Sequence, residues 1–256
     1  MQGVPVLRLI AATIVLTVVV SVIMLIPDWN GEQASTAAPD IDRLLDVAIV
    51  LSSFVFSVVM VVLGYCVYRY RARPGDESDG EPIHGNTRLE IAWTLIPTLI
   101  VLVLAGYSWV VLDDIEAKEP DSIKLEVTGQ QYEWTFTYPE EGIQTKELHV
   151  PVDVQLDVSM RALDVIHSFW VPEWRIKRDA VPGAPGQGID DDFVVTPDKM
   201  GTFSLICTEL CGWGHATMRA PVVVETQAEY DKWVSKQPKI PAGGATGNEP
   251  TGSPES

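Results

Sequence analysis

Three long uncharged apolar runs constrain this chain more than any other feature. They cover residues 9–26, 47–68 and 91–112, which makes them 18, 22 and 22 residues long. A helix needs about 20 predominantly apolar residues to cross the hydrocarbon core of a bilayer. All three runs meet that length, the first only just, so we predict a membrane protein and not a single soluble domain.

The basic residues predict how these runs are oriented. Four of the six that precede position 113 lie between the second and third runs: Arg69, Arg71, Arg73 and Arg88. Basic connections stay in the cytoplasm, so residues 39–115 are predicted to form a transmembrane helical hairpin whose two ends face outward. Arg8 likewise keeps the N-terminus inside. Residues 1–38 then form either a signal peptide, cut near the small residues 34–38, or a retained extra helix.

From position 113 onward the composition is that of an acidic soluble domain. It holds 25 Asp and Glu against 12 Lys and Arg, a net charge of −13. Such a surface repels nucleic acid and attracts basic proteins. Acidity also keeps a domain soluble, so charge alone does not identify a partner.

Alternating polar and apolar residues in this domain predict β-strands at 124–128, 152–160 and 201–207, with turns marked by Pro and Gly. We therefore predict an antiparallel β-sandwich or barrel over residues 116–236. Thr226 and Glu229 have the spacing of a capping box and predict one short helix. Residues 237–256 are rich in Pro, Gly, Ser and Thr and predict a disordered tail.

The segment 207–218 concentrates four metal-binding side chains: Cys207, Cys211, His215 and Met218. Zinc accepts Cys and His but gains little from a thioether, whereas copper suits all four. A single blue copper needs one Cys, so the second thiolate could bridge two metals. A second imidazole must come from elsewhere, and His167, predicted to follow a short strand at Val165 and Ile166, can supply it.

Other interpretations of these residues are open. A Cys pair outside the cytoplasm is often a disulfide, although three cysteines are too few for a disulfide framework. Cys66 lies inside the second apolar run and is predicted to be a packing residue. His84 and His149 are predicted to have no ligand-type partner nearby.

Four segments resemble cytochrome oxidase subunit II in order and spacing: residues 89–97, 164–168, 177–183 and 207–218. The resemblance covers roughly residues 40–236. It implies a membrane-anchored all-β protein, with the helical hairpin followed by a cupredoxin-like Greek-key β-sandwich that carries a dinuclear copper A centre.

The resemblance also implies a role for each residue of the metal segment. Cys207 and Cys211 would bridge two copper ions, and His167 and His215 would bind one copper each. Met218 would be a weak ligand to one copper, and the carbonyl of Glu209 would serve the other. The carboxylate of Glu209 would reach a magnesium ion shared with subunit I.

The implied function is that of the electron-accepting subunit of a cytochrome c oxidase. Single electrons would pass from cytochrome c to copper A and then to a haem of subunit I, where dioxygen is reduced to water and protons are pumped. The chain would therefore be an enzyme subunit without the oxygen-reducing site. Its partners would be subunit I, other oxidase subunits, cytochrome c and the lipid bilayer of a bacterial plasma membrane, with no nucleic acid.

Further residues receive roles from the same resemblance, each with a simpler alternative. Glu90 would lie at the mouth of a proton channel, or be an ordinary charge flanking a membrane helix. Lys177 and Asp179 would face subunit I, or form a surface ion pair of little energetic weight. Tyr132 stands where many members carry a surface tryptophan, and we predict that it forms the donor-docking patch with Trp134 and Trp213. Trp213 could instead shield the metals from water.

Three other classes of protein were weighed. A quinol oxidase subunit II shares the hairpin and sandwich but lacks the copper ligands. A nitrous oxide reductase needs a large additional catalytic domain and has no reason for the hairpin. A membrane-tethered copper carrier or thiol oxidoreductase would not explain Met218 and Glu209 in one loop, or the segment 90–97.

Overall fold

The computed structural model describes residues 5–27, 29, 31–72, 74–75, 82, 84–183 and 192–240. The chain divides into two compact units. One contains the long apolar helices, and the other contains the β-strands together with a short segment that precedes the second helix.

The helical unit confirms the three predicted spans. Helix α1 covers Val6–Leu25, α2 covers Ala38–Tyr70 and α3 covers Thr87–Ile115. By length and composition all three could cross a membrane. Helices α2 and α3 extend beyond their apolar runs because polar residues continue the helix at its ends. An ion pair between Arg43 and Asp40 (2.8 Å) lies in one such extension, and hydropathy alone does not detect it.

Two five-stranded sheets form the β unit, in the orders β3-β2-β1-β5-β8 and β4-β10-β9-β6-β7. The ten strands of the described residues are β1 Ile123–Gln130, β2 Glu133–Tyr138, β3 Ile143–Thr145, β4 Leu148–Pro151, β5 Leu156–Ala162, β6 His167–Val171, β7 Ile176–Ala180, β8 Phe193–Val195, β9 Gly201–Cys207 and β10 Arg219–Glu225. Fully buried aromatic side chains, among them Trp134, Phe136 and Phe169, lie in the core. The predicted β-sandwich is confirmed.

The predicted antiparallel pairing is wrong at two places. Strand β1 pairs with β5 in parallel, and β4 pairs with β10 in parallel. Crossovers bring strands that are distant in sequence side by side, and an alternating pattern shows which face of a strand is buried but not the direction of its neighbour.

Two predicted strands also have different limits. The predicted strand at 152–160 begins only at Leu156, because Asp153 adopts a left-handed turn conformation with a φ of 59°. Val165 and Ile166 lie in a bend and not in a strand, and His167 opens β6. The carboxylate of Asp164 accepts the Val165 backbone N–H (2.7 Å), a local bond that favours a turn over a strand.

Residues 31–38, which we name the strap, belong to the β unit. The Ala34 N–H donates to the Glu173 carbonyl (2.8 Å), and the Ser35 hydroxyl donates to the Trp174 carbonyl (2.9 Å). Ala34, Ser35 and Ala38 are fully buried. The predicted domain boundary at 38–39 is therefore wrong, because the strap folds with strands that lie far along the chain.

The C-terminal end of the β unit confirms one prediction and corrects another. Thr226 and Glu229 form the predicted capping box at the start of helix α4, Gln227–Val234. Beyond it, Lys239 pairs with Ile143 and the Ile240 N–H donates to the Gly142 carbonyl (2.8 Å). The predicted disordered tail is thus wrong for residues 237–240, and residues 241–256 lie outside the described part of the chain.

Candidate metal centre

The candidate metal centre lies where the β9–β10 loop meets the first residue of β6. Cys207 ends β9 and is paired with Phe169 of β6, which brings His167 to the same edge. Met218 directly precedes β10, and its carbonyl accepts the Cys207 N–H (3.1 Å), which closes the loop. Strands β9 and β10 are neighbours in one sheet. They therefore hold the two ends of the loop, Cys207 and Met218, close together.

All five predicted side-chain ligands gather around the two cysteines. The Sγ atoms of Cys207 and Cys211 are 3.9 Å apart. Cys207 Sγ lies 3.9 Å from His167 Nδ1 and 3.4 Å from the carbonyl oxygen of Glu209. Cys211 Sγ lies 3.7 Å from His215 Nδ1 and 3.8 Å from Met218 Sδ. Each thiol thus has two further donors of its own.

This donor set fits a soft metal. The two sulfur atoms are far outside the roughly 2.05 Å of a disulfide bond, and both cysteines are free. His167, Cys207 and Cys211 form a buried cluster whose ligand atoms lie within 4.8 Å of one another. Thiolate, imidazole and thioether ligands together are typical of copper. The arrangement is therefore a candidate copper site.

Asp164 orients the imidazole of His167. Its Oδ1 accepts from His167 Nε2 (2.8 Å), which leaves Nδ1 facing Cys207 and available to a metal. Burial would raise the pKa of Asp164, but hydrogen bonds from the Gln131 backbone, from His167 and from the Val165 backbone outweigh it and lower the pKa. Asp164 was predicted only as part of a sequence segment, although a carboxylate three residues before a candidate ligand was the available signal.

Gly129 and Trp134 form the wall behind His167. A Cβ atom on Gly129 would lie 3.0 Å from His167 Cδ2 and 3.2 Å from Trp134 Cζ3. The rings of Trp134 and His167 meet edge to face at 6.0 Å between centroids. Trp134 is only 1% exposed. Its predicted place in a donor-docking surface is therefore wrong, because its side chain points into the core and packs on a metal ligand.

Cys211 does not have the electrostatics of a reactive thiol. Burial, reinforced by the neighbouring Cys207, raises the pKa of Cys211 to about 11. Reactive cysteines of thiol oxidoreductases have pKa values lowered by positive charge or a helix N-terminus. The raised pKa of Cys211 therefore speaks against the oxidoreductase alternative for this thiol.

Two aromatic residues of the predicted docking patch lie at the surface of the site. Trp213, in the middle of the β9–β10 loop (residues 208–218), is fully exposed at 102%, and Tyr132, in the β1–β2 turn, is 39% exposed. Full exposure contradicts the alternative in which Trp213 shields the metals from water. The side chain of Glu209 is also exposed, while its carbonyl faces Cys207.

The remaining predicted residues lie outside the metal cluster. Lys177 and Asp179 form a half-exposed ion pair (2.7 Å) on the edge strand β7, and the bond from Lys177 lowers the pKa of Asp179. Glu90 lies in the first turn of α3, where its carboxylate accepts the Asn86 N–H (3.0 Å).

Neither of the other two histidines joins the metal site. The prediction that His149 has no ligand-type partner is wrong, since Glu225 lies 2.9 Å from its Nδ1 and Glu147 lies 3.6 Å from its Nε2. These carboxylates contact opposite ring nitrogens and do not converge on one point. His84 is exposed.

Comparison with known proteins agrees with this geometry. Two family models match the chain: the transmembrane domain of cytochrome c oxidase subunit II over residues 29–111, and its periplasmic domain over residues 143–227. The cytochrome c oxidase subunit 2 of Thermostichus vulcanus is 35% identical over an alignment 290 positions long, gaps included, which covers 86% of each chain. The chain belongs to the cytochrome c oxidase subunit II family. It is therefore the electron-accepting subunit of a haem-copper oxidase, a membrane protein with a cupredoxin-like domain on the outer face.

More distant members of the same family include another kind of oxidase. The quinol oxidase subunit 2 of Bacillus cereus is 31% identical over 195 residues, which cover 73% of this chain and 65% of that protein. The crystal structure of the periplasmic domain of subunit II from Bradyrhizobium japonicum is 28% identical, covers 48% of this chain and 96% of that domain, and gives a TM-score of 0.43. Family membership alone thus leaves the electron donor to be argued from the site.

Proposed function

We propose that the chain is the copper A subunit of a cytochrome c oxidase. It accepts single electrons from a cytochrome c at a dinuclear copper centre and passes them to a haem of subunit I, whose reduction of dioxygen to water is coupled to proton pumping. The observation that carries the proposal is the gathering of four further donors around the Cys207–Cys211 pair. A quinol oxidase subunit would have no use for this donor set.

Cys207 and Cys211 would be shared by the two coppers, and His167 and His215 would supply one imidazole to each. Met218 would be a weak ligand to one copper, and the carbonyl of Glu209 would serve the other. When bound, the two coppers supply a reversible one-electron store with the charge shared between them. Burial of both cysteines, His167 and Met218 excludes water and holds the donors in place. The protein therefore has little to rearrange when the charge of the centre changes.

We assign partner contacts to the charged residues near the site. The exposed carboxylate of Glu209 is placed to bind a magnesium ion shared with subunit I, because magnesium prefers hard oxygen ligands. Lys177 and Asp179 lie on an unpaired sheet edge beside the His167 strand, which supports a role at the boundary with subunit I. Glu90, near the cytoplasmic end of α3, would serve the mouth of a proton channel in a bacterial plasma membrane.

Tyr132 and Trp213 form the donor-docking surface in this proposal. Tyr132 is exposed beside the β9–β10 loop, which we name the copper loop, and Trp213 is exposed within it, two residues from the ligands Cys211 and His215. The net charge of −13 from position 113 onward attracts a basic cytochrome. A large exposed aromatic ring is well suited to contact the edge of a haem.

Electron paramagnetic resonance of the copper-loaded full-length protein in detergent tests the proposed function. One unpaired electron shared equally by two copper nuclei gives a seven-line hyperfine pattern, and that pattern is the expected result. Copper analysis of the same sample should give two ions per chain. A four-line pattern with one copper per chain would show a mononuclear site and refute the proposal.

A further inference from the structure

The loop that carries Cys211 and His215 closes over the ring of Tyr132. A Cβ atom on Gly214 would lie 2.4 Å from Tyr132 Cγ and 2.5 Å from Cδ2, and a Cβ atom on Gly212 would lie 2.7 Å from the Tyr132 hydroxyl. Distances below 3.0 Å leave no room for a side chain. The two glycines therefore form a cradle for the side chain of Tyr132, which the amide of Gln131 shares beside Gly212 (3.0 Å from the same Cβ position).

The two glycines are required for different reasons. Gly212 has a φ of +124°, a conformation that side chains rarely adopt, so its backbone and its contact with Tyr132 both demand glycine. Gly214 has an ordinary φ of −86°. Only the ring of Tyr132 excludes a side chain at position 214, which makes Gly214 the cleaner probe of the contact.

A second contact ties the same β1–β2 turn to the copper loop. The side-chain amide of Gln131 donates to the carbonyl of Cys211. At the start of the loop, the Thr208 N–H donates to the Ser168 carbonyl of β6 (3.1 Å). Between Cys211 and Thr217 the other described hydrogen bonds to backbone carbonyls are local: His215 N–H to the Gly212 carbonyl (3.2 Å), and Thr217 N–H and hydroxyl to the Gly214 carbonyl. Trp213 is fully exposed and gives the loop no packing. Gln131 and Tyr132 thus support the part of the loop between Cys211 and His215 from outside its own residues.

We infer that Tyr132 is a positioning residue for the copper loop, whose ring fixes the spacing between the ligands Cys211 and His215. The inference rests on the proposed function, since it concerns the same metal site. It goes beyond a docking role, because the ring face that packs on Gly214 acts on the ligands while the exposed edge remains free to meet a donor. Docking affects only the rate of reduction, whereas positioning affects the resting site in the absence of any donor.

The test compares Gly214→Ala, Tyr132→Ala, Tyr132→Phe and the double variant Gly214→Ala/Tyr132→Ala in the full-length protein. The readouts are copper retained against a chelator and the paramagnetic resonance spectrum, with no cytochrome present. Gly214→Ala should weaken copper retention about 10-fold or more and alter the hyperfine pattern, as loss of a supporting contact does at other metal sites. Tyr132→Phe keeps the ring and should retain the wild-type spectrum, while Tyr132→Ala should change it.

The double variant decides whether the ring is the cause. Removing the ring makes room for the new methyl group, so the double variant should hold copper as well as Tyr132→Ala does, which would show that the methyl group acts only through the ring. Ala216→Ser, a change at an exposed position of the same loop, is the matched control and should match wild type. An unchanged thermal unfolding midpoint in every variant would separate a local effect from general destabilisation.

Two outcomes would overturn the inference. One is a Gly214→Ala variant with wild-type copper retention and spectrum, and the other is a double variant that holds copper clearly worse than Tyr132→Ala. Either would leave the proposed function intact if the wild-type protein shows the seven-line pattern. A wild-type protein without that pattern would instead refute the proposed function itself.

Discussion

Cys207 and Cys211 are not equivalent, because each has different neighbours. Cys207 faces His167 and a carbonyl oxygen, whereas Cys211 faces His215 and the thioether of Met218. A thioether is the weakest ligand of the set for copper. If both thiolates bridge as proposed, they should be indispensable, and Met218 should tune the site without holding it together.

Substitutions at these positions separate the roles. Cys207→Ser or Cys211→Ser should abolish the dinuclear spectrum, since a hydroxyl cannot replace a bridging thiolate at neutral pH. Met218→Leu should keep two coppers with a shifted reduction potential, because the shape of the side chain is conserved and only the weak ligand is lost. Resonance spectra, copper analysis and redox titration check these outcomes. An intact seven-line pattern in either Ser variant would contradict the bridging role.

The exposed ring of Trp213 leads to a kinetic prediction. Trp213→Ala should lower the bimolecular rate of reduction by a cytochrome c, measured by stopped flow, by about 10-fold or more, as loss of an aromatic hot spot does. Its copper spectrum should stay unchanged. Met200→Ala, which also removes an exposed apolar side chain (59%), is the control and should keep the wild-type rate. An unaltered rate in Trp213→Ala would remove the docking role.

For single residues, the sequence predicted the metal ligands better than the side chains that surround them. Cys207, Cys211, His215 and Met218 are identifiable because soft donors cluster within one short segment. The exposure of an aromatic side chain depends instead on which face of a strand meets the opposite sheet. Trp134 was therefore misplaced at the surface. The demand for glycine at position 214 comes from a ring 82 positions earlier in the chain, and no local pattern encodes it.

At the level of secondary-structure elements, the strap also shows that local sequence patterns do not detect contacts between residues that are distant in sequence. The capping box of α4 was predicted because all of its bonds lie within four residues. The strap packs against residues about 140 positions away, with bonds from Ala34 to Glu173 and from Ser35 to Trp174. Small residues such as Ala34 carry no periodic signal. Parallel strand pairs were missed for the same reason, since their partners are distant in sequence.

Buried and exposed positions of the strap should respond differently when their side chains are enlarged. Ala34→Leu places extra methyl groups in a fully packed site and should destabilise the β unit by about 1–3 kcal/mol. Thr36→Leu changes an exposed side chain of the same strap and serves as the control. Thermal unfolding of the full-length protein in detergent, followed by near-ultraviolet circular dichroism, measures the difference. Equal midpoints for the two variants would show that the strap contributes nothing to stability.

For the whole molecule, orientation in the membrane follows from the basic connection between α2 and α3. Arg69, Arg71 and Arg88 lie at the ends of this connection, and Arg73 lies outside the described residues. These charges should keep the connection in the cytoplasm and the β unit on the outer face.

A reporter enzyme that is active only outside the cytoplasm checks this orientation. Alkaline phosphatase fused after Ile240 preserves the contacts of Lys239 and Ile240 with the β unit and should be active. The same reporter placed between α2 and α3 should be inactive and gives the matched comparison. A well-expressed but inactive fusion after Ile240 would reverse the predicted orientation.

The strap also limits the number of times that the chain can cross the membrane before it reaches the strands. The strap precedes α2, the strands follow α3, and both belong to one folded unit. A chain that leaves a compact body on one side of a bilayer and rejoins it must cross an even number of times. Helices α2 and α3 must therefore both span the membrane or neither can, whatever the charges of the connection between them. Both helices are long and apolar enough to cross a membrane, so we expect both to span it. Moving the arginines alone could then reverse the orientation of the pair but could not leave one helix spanning without the other.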